Sequence, residues 1–307
     1  MPTFDLTIAV LSWRQPKTLR NTFESYKRNG LLDMVKQKLV FFNQVTAEDL
    51  KIADEYGFDV VTSKTNIGIG LPYQQLVQRA TSKYFMFVEN DFMLVEDRET
   101  TAQRLQEAVD LLENGIDAVR FRHRYHYGDP NNYLRQLWLG NLDKSVPTLD
   151  WVYLLQDPSA ASPLIKKKKL SSQEIYITDS RYGAYTNNPC MYRTEFISKI
   201  ILPVKFRNHD VIENNIGEEW EKSNYTVAAG TGLFKHNPLE FSGSSFAENK
   251  RVKLPIKNWT HYIIRLGIRR NILNIFVFQF MPMIFKANIN IADKFMINLS
   301  LGRYESV

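Results

Sequence analysis

Short apolar segments alternate with amphipathic ones through the first 120 residues, and this alternation restricts the fold more than any other feature of the chain. FDLTIAVLS, KLVFFN, DVVTSK, KYFMFVEN and DAVRFRH each have the length and composition of one strand. The segments between them carry helical phase and helical punctuation. QPKTLRNTFESYKRNG places Pro16 near a helix start, Leu19, Phe23 and Tyr26 on one face, and Gly30 at the end. TAEDLKIADEYG has Thr46 as N-cap, Asp49 at the capping-box position and Gly57 as a stop. LPYQQLVQRA is a helix opened by Pro72, and TTAQRLQEAVDLLENG holds Leu105, Val109 and Leu112 in phase ahead of Gly115. Strand and helix repeated in this order predict an α/β chain with a mostly parallel, doubly wound sheet.

Sheets of that kind bind ligands outside the carboxyl ends of their strands. The residues expected there are Ser12, Trp13 and Arg14 after the first strand, Asn43 and Gln44 after the second, Lys64 and Asn66 after the third, and Glu89, Asn90 and Asp91 after the fourth. The fourth set stands out because apolar sequence resumes at once as Phe92-Met93-Leu94-Val95. A polar break inside a buried run presents its carboxylates to a site, whereas a solvated turn would be flanked by polar residues. Glu96 and Asp97 read as the lead-in to the next helix.

Beyond residue 120 the pattern loosens. Residues 121 to 182 are rich in aromatics and turn formers, which predicts long loops over a site, with Lys166 to Lys169 as a solvated loop. AYTNNPCMYRTEFISKII reads as strand, turn and helix, with Thr194 as N-cap, and ENNIGEEWEKSNY as a loop entering an acidic helix. TVAAGTGLFKHNPLEFSGSS reads as a strand followed by a Gly/Ser-rich loop that carries His236.

Composition removes several function classes. A single cysteine, Cys190, excludes an intramolecular disulfide and a cysteine-cluster metal site. Residues 250–307 hold ten Lys or Arg against two acids, a balance of +8 within a chain total of +6, so the remaining residues sum to −2. A near-neutral body does not suit nucleic acid. The tail is basic and apolar: HYIIRLGIRRNILNIFVFQFMPMIFK is too short in its apolar run to span a bilayer and suits either an interfacial helix on an anionic membrane or a helix packed on the catalytic body or against a second subunit. Asp5 stands where an export signal would carry basic residues, so the expected compartment is the cytoplasm, with the inner face of a membrane as a peripheral location.

Taken in order, the strand-end motifs resemble those of GT-A fold glycosyltransferases, in particular family 2 enzymes of the rhamnosyltransferase type. LSWRQ stands where those enzymes carry a TYN-like loop, NIGIG matches their N-x-G turn, and FVENDF their NND or DxD strand end. GEEWEKS, residues 217 to 223, matches GED-x-D-x-S, and HNPLEFSGSS approximates a late H-x-x-x-x-G-x-S. The resemblance covers roughly residues 5 to 245 and implies a catalytic domain over 1–245, with a nucleotide-sugar half at 1–120, an acceptor half at 121–245, and the basic tail 246–307 as a helical appendage.

What the resemblance implies for the site is specific. Asp91 matches the metal-binding Asp, and Glu89 and Asn90 match positions nearer the ribose and metal. With His236 as a second ligand, Mn²⁺ is favoured over Mg²⁺. Glu219 matches the acid that serves as general base in inverting relatives, with Glu for Asp, and Glu218 competes with it. Ser12, Trp13, Arg14, Asn43, Lys64 and Asn66 fall on the donor side. Asn188 falls near the transferred sugar or acceptor, and Trp220 is core, sugar platform or both. Relatives usually place an Asp after the second strand to hold a pyrimidine, and this chain has Asn43 and Gln44, which leaves the nucleotide open. The expected activity is an inverting, metal-dependent transfer of a sugar from a nucleotide-diphosphate sugar to a glycan or lipid-linked acceptor in polysaccharide biosynthesis. The competing readings are an inactive GT-A module used for binding, and a sugar-phosphate nucleotidyltransferase. The latter usually needs a Gly-rich loop after the first strand, where LSWRQPKT has no glycine.

Overall fold

β1 (Phe4–Trp13), β2 (Val35–Asn43), β3 (Asp59–Thr62) and β4 (Tyr84–Glu89) form a parallel set in the order β3-β2-β1-β4. These strands belong to a computed structural model, which describes residues 2–126, 157, 159, 163–210 and 212–239, all within the unit Met1–Gly243. The appendage expected over 246–307 lies outside the described residues, as does most of the expected covering segment.

Neighbouring residues along β1 are buried on opposite faces, which is why the strand reads as a continuous apolar run. Ile8 and Val10 pack with Leu19, Phe23 and Tyr26 of α1 (Pro16–Arg28), with α3 (Ala47–Tyr56) and with α5 (Arg98–Glu113). Ala9 and Leu11 pack on the other face with Tyr73 and Leu76 of α4 (Gly70–Arg79), α6 (Thr194–Ile201) and α7 (Ile212–Lys222). The doubly wound arrangement expected from the sequence is therefore present. The capping box also forms as read: Thr46 Oγ1 accepts from Asp49 N at 3.2 Å, and Asp49 accepts from Thr46 N at 2.8 Å. A short helix, α2 (Leu31–Met34), follows Gly30.

The second half of the sheet is mixed. β6 (Ala118–Arg122) does not lie beside β4; β9 (Cys190–Arg193) runs antiparallel between them. Beyond β6 come β10 (Thr226–His236), β8 (Glu174–Asp179) and β7 (Lys166–Lys169). Lys166 to Lys169, expected as a loop, thus forms an exposed edge strand paired with β8. A lysine-rich edge suits that place, because charge there opposes pairing with another sheet. Thr194 is the first residue of α6 and Arg193 its N-cap, one position from the expected cap; the Thr194 hydroxyl donates to Ser82 O instead.

One irregularity matters for the site. β10 pairs with β6 and β8 through Ala229, then shifts register before Phe234 and pairs with β5 (Phe92–Leu94). Gly232 sits in that shift with φ 81°, and a Cβ there would lie 2.2 Å from Arg122 O, so only glycine fits the close approach. The redirected end of β10 places His236 opposite Phe92.

Candidate active site at the carboxyl edge of the sheet

The strand-end residues singled out in the sequence do meet along one edge. Parallel pairing sets Trp13 beside Asn43 and Leu11 beside Glu89, so the ends of β1, β2 and β4 are level. The β5–β10 pairing then brings in a residue 145 positions away: His236 Nε2 lies 3.0 Å from Asp91 Oδ2. Asn237 N donates to Asp91 O at 2.6 Å, which holds the two segments together. Asp91 and His236 are each 17% exposed at the side chain, so the pair is reachable from solvent but largely enclosed.

Buried polar atoms without a partner are rare in folded proteins, and half of those among the described residues gather at this edge. They are Ser12 Oγ, Trp13 Nε1, Asp91 Oδ1, Asn187 Oδ1, Glu213 Oε2 and His236 Nδ1. Asp91 Oδ1 and His236 Nδ1 are the atoms of the pair left without a partner, and a carboxylate oxygen with an imidazole nitrogen is a donor set that suits Mn²⁺. Among the described residues no cluster of three or more His, Cys, Asp or Glu side chains that could hold a metal occurs, and Asp91 and His236 make a pair.

Glu89 lies behind Asp91, and its carboxyl is held well above the ordinary glutamate range, first by burial and then by the negative charges of Asp91 and Glu213, against a smaller opposing pull from Arg122. Arg122, at the end of β6, also donates to Asn188 Oδ1 at 3.0 Å. Asn187 N points to Glu213 Oε1 at a long 3.4 Å. Glu89, Asp91, Arg122, Asn188 and Glu213 thus form one cluster drawn from four separate parts of the chain.

A pH-dependent stability follows from Glu89. A raised folded pKa means that its contribution to stability is intact below the ordinary value of 4.5 and is lost as pH rises through the folded value. Glu89→Gln should therefore raise the melting temperature of the metal-free protein at pH 8 and change it little at pH 4.5. Thermal unfolding in chelator at the two pH values checks this; a gain equal at both, or a fall at pH 8, contradicts it.

The structure sets Glu218 and Glu219 deeper in their helix than the sequence pattern suggests. Glu218 and Glu219 were expected in a loop or first turn, but α7 begins at Ile212, so they stand in its second turn. Both are exposed; Glu218 pairs with Lys222, and Glu219 lines a surface recess with Phe196, Lys199 and Asn215. They are about 7.5 and 9 Å further along the helix axis than Glu213 and on other faces. Glu213, in the first turn, is the acid that reaches the cluster, and sequence reading missed it. The available signal was the phase of Ile212, Ile216 and Trp220, which extends the helix back to residue 212. Trp220 is buried at 2% exposure, and its indole N–H donates to Gly183 O at 2.8 Å, so it is core.

Asn43, Asn66 and Asn90 make framework contacts. Asn43 Oδ1 accepts from Ile67 N at 3.0 Å and Ser63 Oγ at 3.2 Å, while its amide donates to Gly68 O at 2.8 Å. Both ends of that amide are committed to the N-x-G turn and Ser63, and the neighbouring Gln44 is in left-handed backbone at φ 56°. Asn90 is buried; its side chain donates to Gln15 Oε1 at 3.3 Å and its carbonyl accepts from Thr22 Oγ1 at 2.7 Å, which joins β4 to α1. Asn66 Oδ1 accepts from Gly68 N at 2.9 Å to shape the turn, and Lys64 is exposed beside it. Arg14 is exposed and left-handed at φ 50°, with its guanidinium 5.8 Å from the Trp13 ring. Asp97 caps α5 as expected, but Glu96 does more than lead in: it pairs with Arg104 at 2.8 Å and with buried His123 at 2.7 Å.

This sheet order, with one antiparallel strand set between β4 and β6, is that of the GT-A fold. S. aureus TarS 1-349, solved in complex with UDP-GlcNAc, is similar over 79% of this chain at 14% identity and a TM-score of 0.50. The match takes in 60% of that TarS chain. Glucosyl-3-phosphoglycerate synthase from Mycobacterium tuberculosis, in complex with Mn²⁺, UDP and phosphoglyceric acid, matches 77% of this chain and 71% of its own at 11% identity and a TM-score of 0.47. The mannosyltransferase PcManGT from Pyrobaculum calidifontis, with GDP-Man and Mn²⁺, matches 64% of this chain and 46% of its own at 10% identity and 0.39. At these identities the likeness is one of fold. No protein-family model and no curated protein matches the sequence.

Proposed function

We propose that this chain is an inverting glycosyltransferase that moves a sugar from a nucleotide-diphosphate donor to an acceptor hydroxyl, with Mn²⁺ held by Asp91 and His236. The observation that carries the reading is the Asp91–His236 pair, 3.0 Å apart at the carboxyl edge, with an unpartnered buried atom on each side chain. The fold shared with a UDP-GlcNAc-bound structure supports a nucleotide sugar as the ligand of that edge. When bound, the cation supplies positive charge for the departing diphosphate. Arg122 adds fixed positive charge in the same cluster.

Glu213 is the general base of this reading. Its Oε2 takes the proton of the acceptor hydroxyl as that oxygen attacks the anomeric carbon. The bond to the donor phosphate breaks on the opposite face, so the configuration inverts and the diphosphate leaves with the bonding pair. Asn188 and Asn187 orient acceptor or sugar beside Arg122 and Glu213. Ser12, Trp13, Arg14, Gln44 and Lys64 line the donor side. The division into a donor half, 1–120, and an acceptor half, 121–245, is part of the same proposal, as is a glycan or lipid-linked acceptor. Among the described residues no helix is long and apolar enough to cross a membrane; surface attachment or pairing through 246–307 stays within the proposal.

Thermal-shift measurements with UDP, GDP and dTDP sugars, each with and without Mn²⁺, test the donor side. The expected result is stabilisation by one nucleotide class that requires the metal. A binding constant 100-fold below the ligand concentration would add about 2.7 kcal/mol of stability, a shift readily seen. No stabilisation by any donor with Mn²⁺ would remove the reading.

A further inference from the structure

The C-terminus of α6 leaves carbonyls that its own helix cannot satisfy. A side chain from another helix reaches three carbonyls at and just past that end, of which Ile201 O also accepts from Val204 N at 3.2 Å. Gln74 Nε2, on α4, lies 3.1 Å from Ile201 O, 3.1 Å from Leu202 O and 3.0 Å from Val204 O. An amide nitrogen has two hydrogens, so three acceptors share them and the chain from 201 to 204 is gripped as one piece.

The chain that follows runs back over the donor-side turn. His209 N donates to Ile67 O at 3.1 Å, and His209 itself is held in left-handed backbone at φ 67°. Gly68, at φ 85°, faces it so closely that a Cβ would lie 2.7 Å from His209 Cα. On its other side Asp210 Oδ2 accepts from Arg207 N at 2.8 Å and from Asn215 Nδ2 at 3.3 Å. Asn215 is on α7, whose first turn carries Glu213. The turn shaped by Asn66, the loop 203–210 and the start of α7 are therefore joined by direct contacts.

We propose that Gln74 is a positioning residue: by holding the loop 203–210 against the Asn66–Gly68 turn, it makes nucleotide binding at that turn set the position of Glu213 across the cleft. This rests on the reading of the turn as donor-side and of Glu213 as the base. Nucleotide that orders the turn orders the loop through the Ile67–His209 bond and α7 through Asp210, so the base is in place only when donor is. Gln74 touches neither substrate in this account and acts through the loop.

Hydrogen exchange on the whole protein tests it in two arms. Without ligand, Gln74→Met, which keeps bulk and loses the donor, should speed amide exchange over 203–217 at least tenfold and leave β1 and α1 unchanged. With UDP, GDP or dTDP and Mn²⁺, the native protein should show slowed exchange at 63–70 and at 203–217, and Gln74→Met at 63–70 alone, with nucleotide affinity within twofold. Gln74→Arg restores N–H donors and should restore the spread of protection. Equal ligand-free exchange in native protein and Gln74→Met, protection of the native protein that stops at 63–70, or failure of Gln74→Arg to spread it would each overturn the proposal. No protection at 63–70 with any nucleotide would instead remove the donor-side reading and the coupling with it, while the ligand-free arm still decides whether the latch exists.

Discussion

Asp91→Ala should lower the Mn²⁺-dependent transfer rate by roughly 10³-fold or more, about 4 kcal/mol of transition-state stabilisation. Asp91 brings one hydrogen bond to His236 and a second, buried oxygen with no partner, so its carboxylate has little role in holding the fold. Its removal also relieves repulsion on Glu89, whose carboxyl is pushed upward partly by the Asp91 charge. The melting temperature of metal-free Asp91→Ala should therefore equal or exceed that of the native protein. Donor turnover with and without Mn²⁺, measured beside thermal unfolding, separates the two effects. A variant that keeps metal-dependent turnover, or loses turnover only because it unfolds, would contradict the role given to Asp91.

Glu213→Gln should lower transfer by about 10²- to 10⁴-fold, the usual range for loss of a general base, and leave donor affinity within about twofold. Glutamine keeps the size of the side chain and cannot take the proton. Glu219→Gln is the matched control: an exposed residue of the same helix, expected to change the rate by less than about twofold, because surface substitutions away from such features have small effects. The pair decides between the acid that the GEEWEKS motif suggested and the acid the fold delivers. If Glu219→Gln is the crippled variant and Glu213→Gln retains activity, the acceptor side has been misassigned.

How far the sequence revealed these features depended on whether the cause was local. β1, β2 and β4 were legible because each carries an apolar run buried on both faces, and α3 because Thr46 and Asp49 form a capping box within four residues. Asp91 was legible through a positional rule: a polar break at a strand end in a doubly wound sheet. The grouping of His236 with Asp91 came from motif order and ligand chemistry and not from any local pattern, since their contact across 145 residues depends on a register shift at Gly232 and on β5 pairing with β10. Placement of β9 between β4 and β6 is likewise non-local.

Glu213 was obscured for a different reason. Asn214, Asn215 and Gly217 are poor helix formers, so ENNIG reads as a loop by propensity. Burial of Ile212, Ile216 and Trp220 against the sheet overrides that preference and starts the helix at 212. Asn43 shows the converse: its position at a strand end was read correctly, but its amide is spent on Ser63, Ile67 and Gly68, contacts no local pattern announces. Glu96 gained partners, Arg104 and His123, from a helix face and from the end of β6 that sequence order keeps apart.

The most direct test of the central claim is pulsed electron paramagnetic resonance of Mn²⁺ bound to the protein in the presence of nucleoside diphosphate. The account predicts a nitrogen-14 coupling from a ligated imidazole that disappears in His236→Ala, with Mn²⁺ affinity falling sharply in Asp91→Ala. Mn²⁺ that binds with no nitrogen coupling, or with the same coupling in His236→Ala, would contradict it.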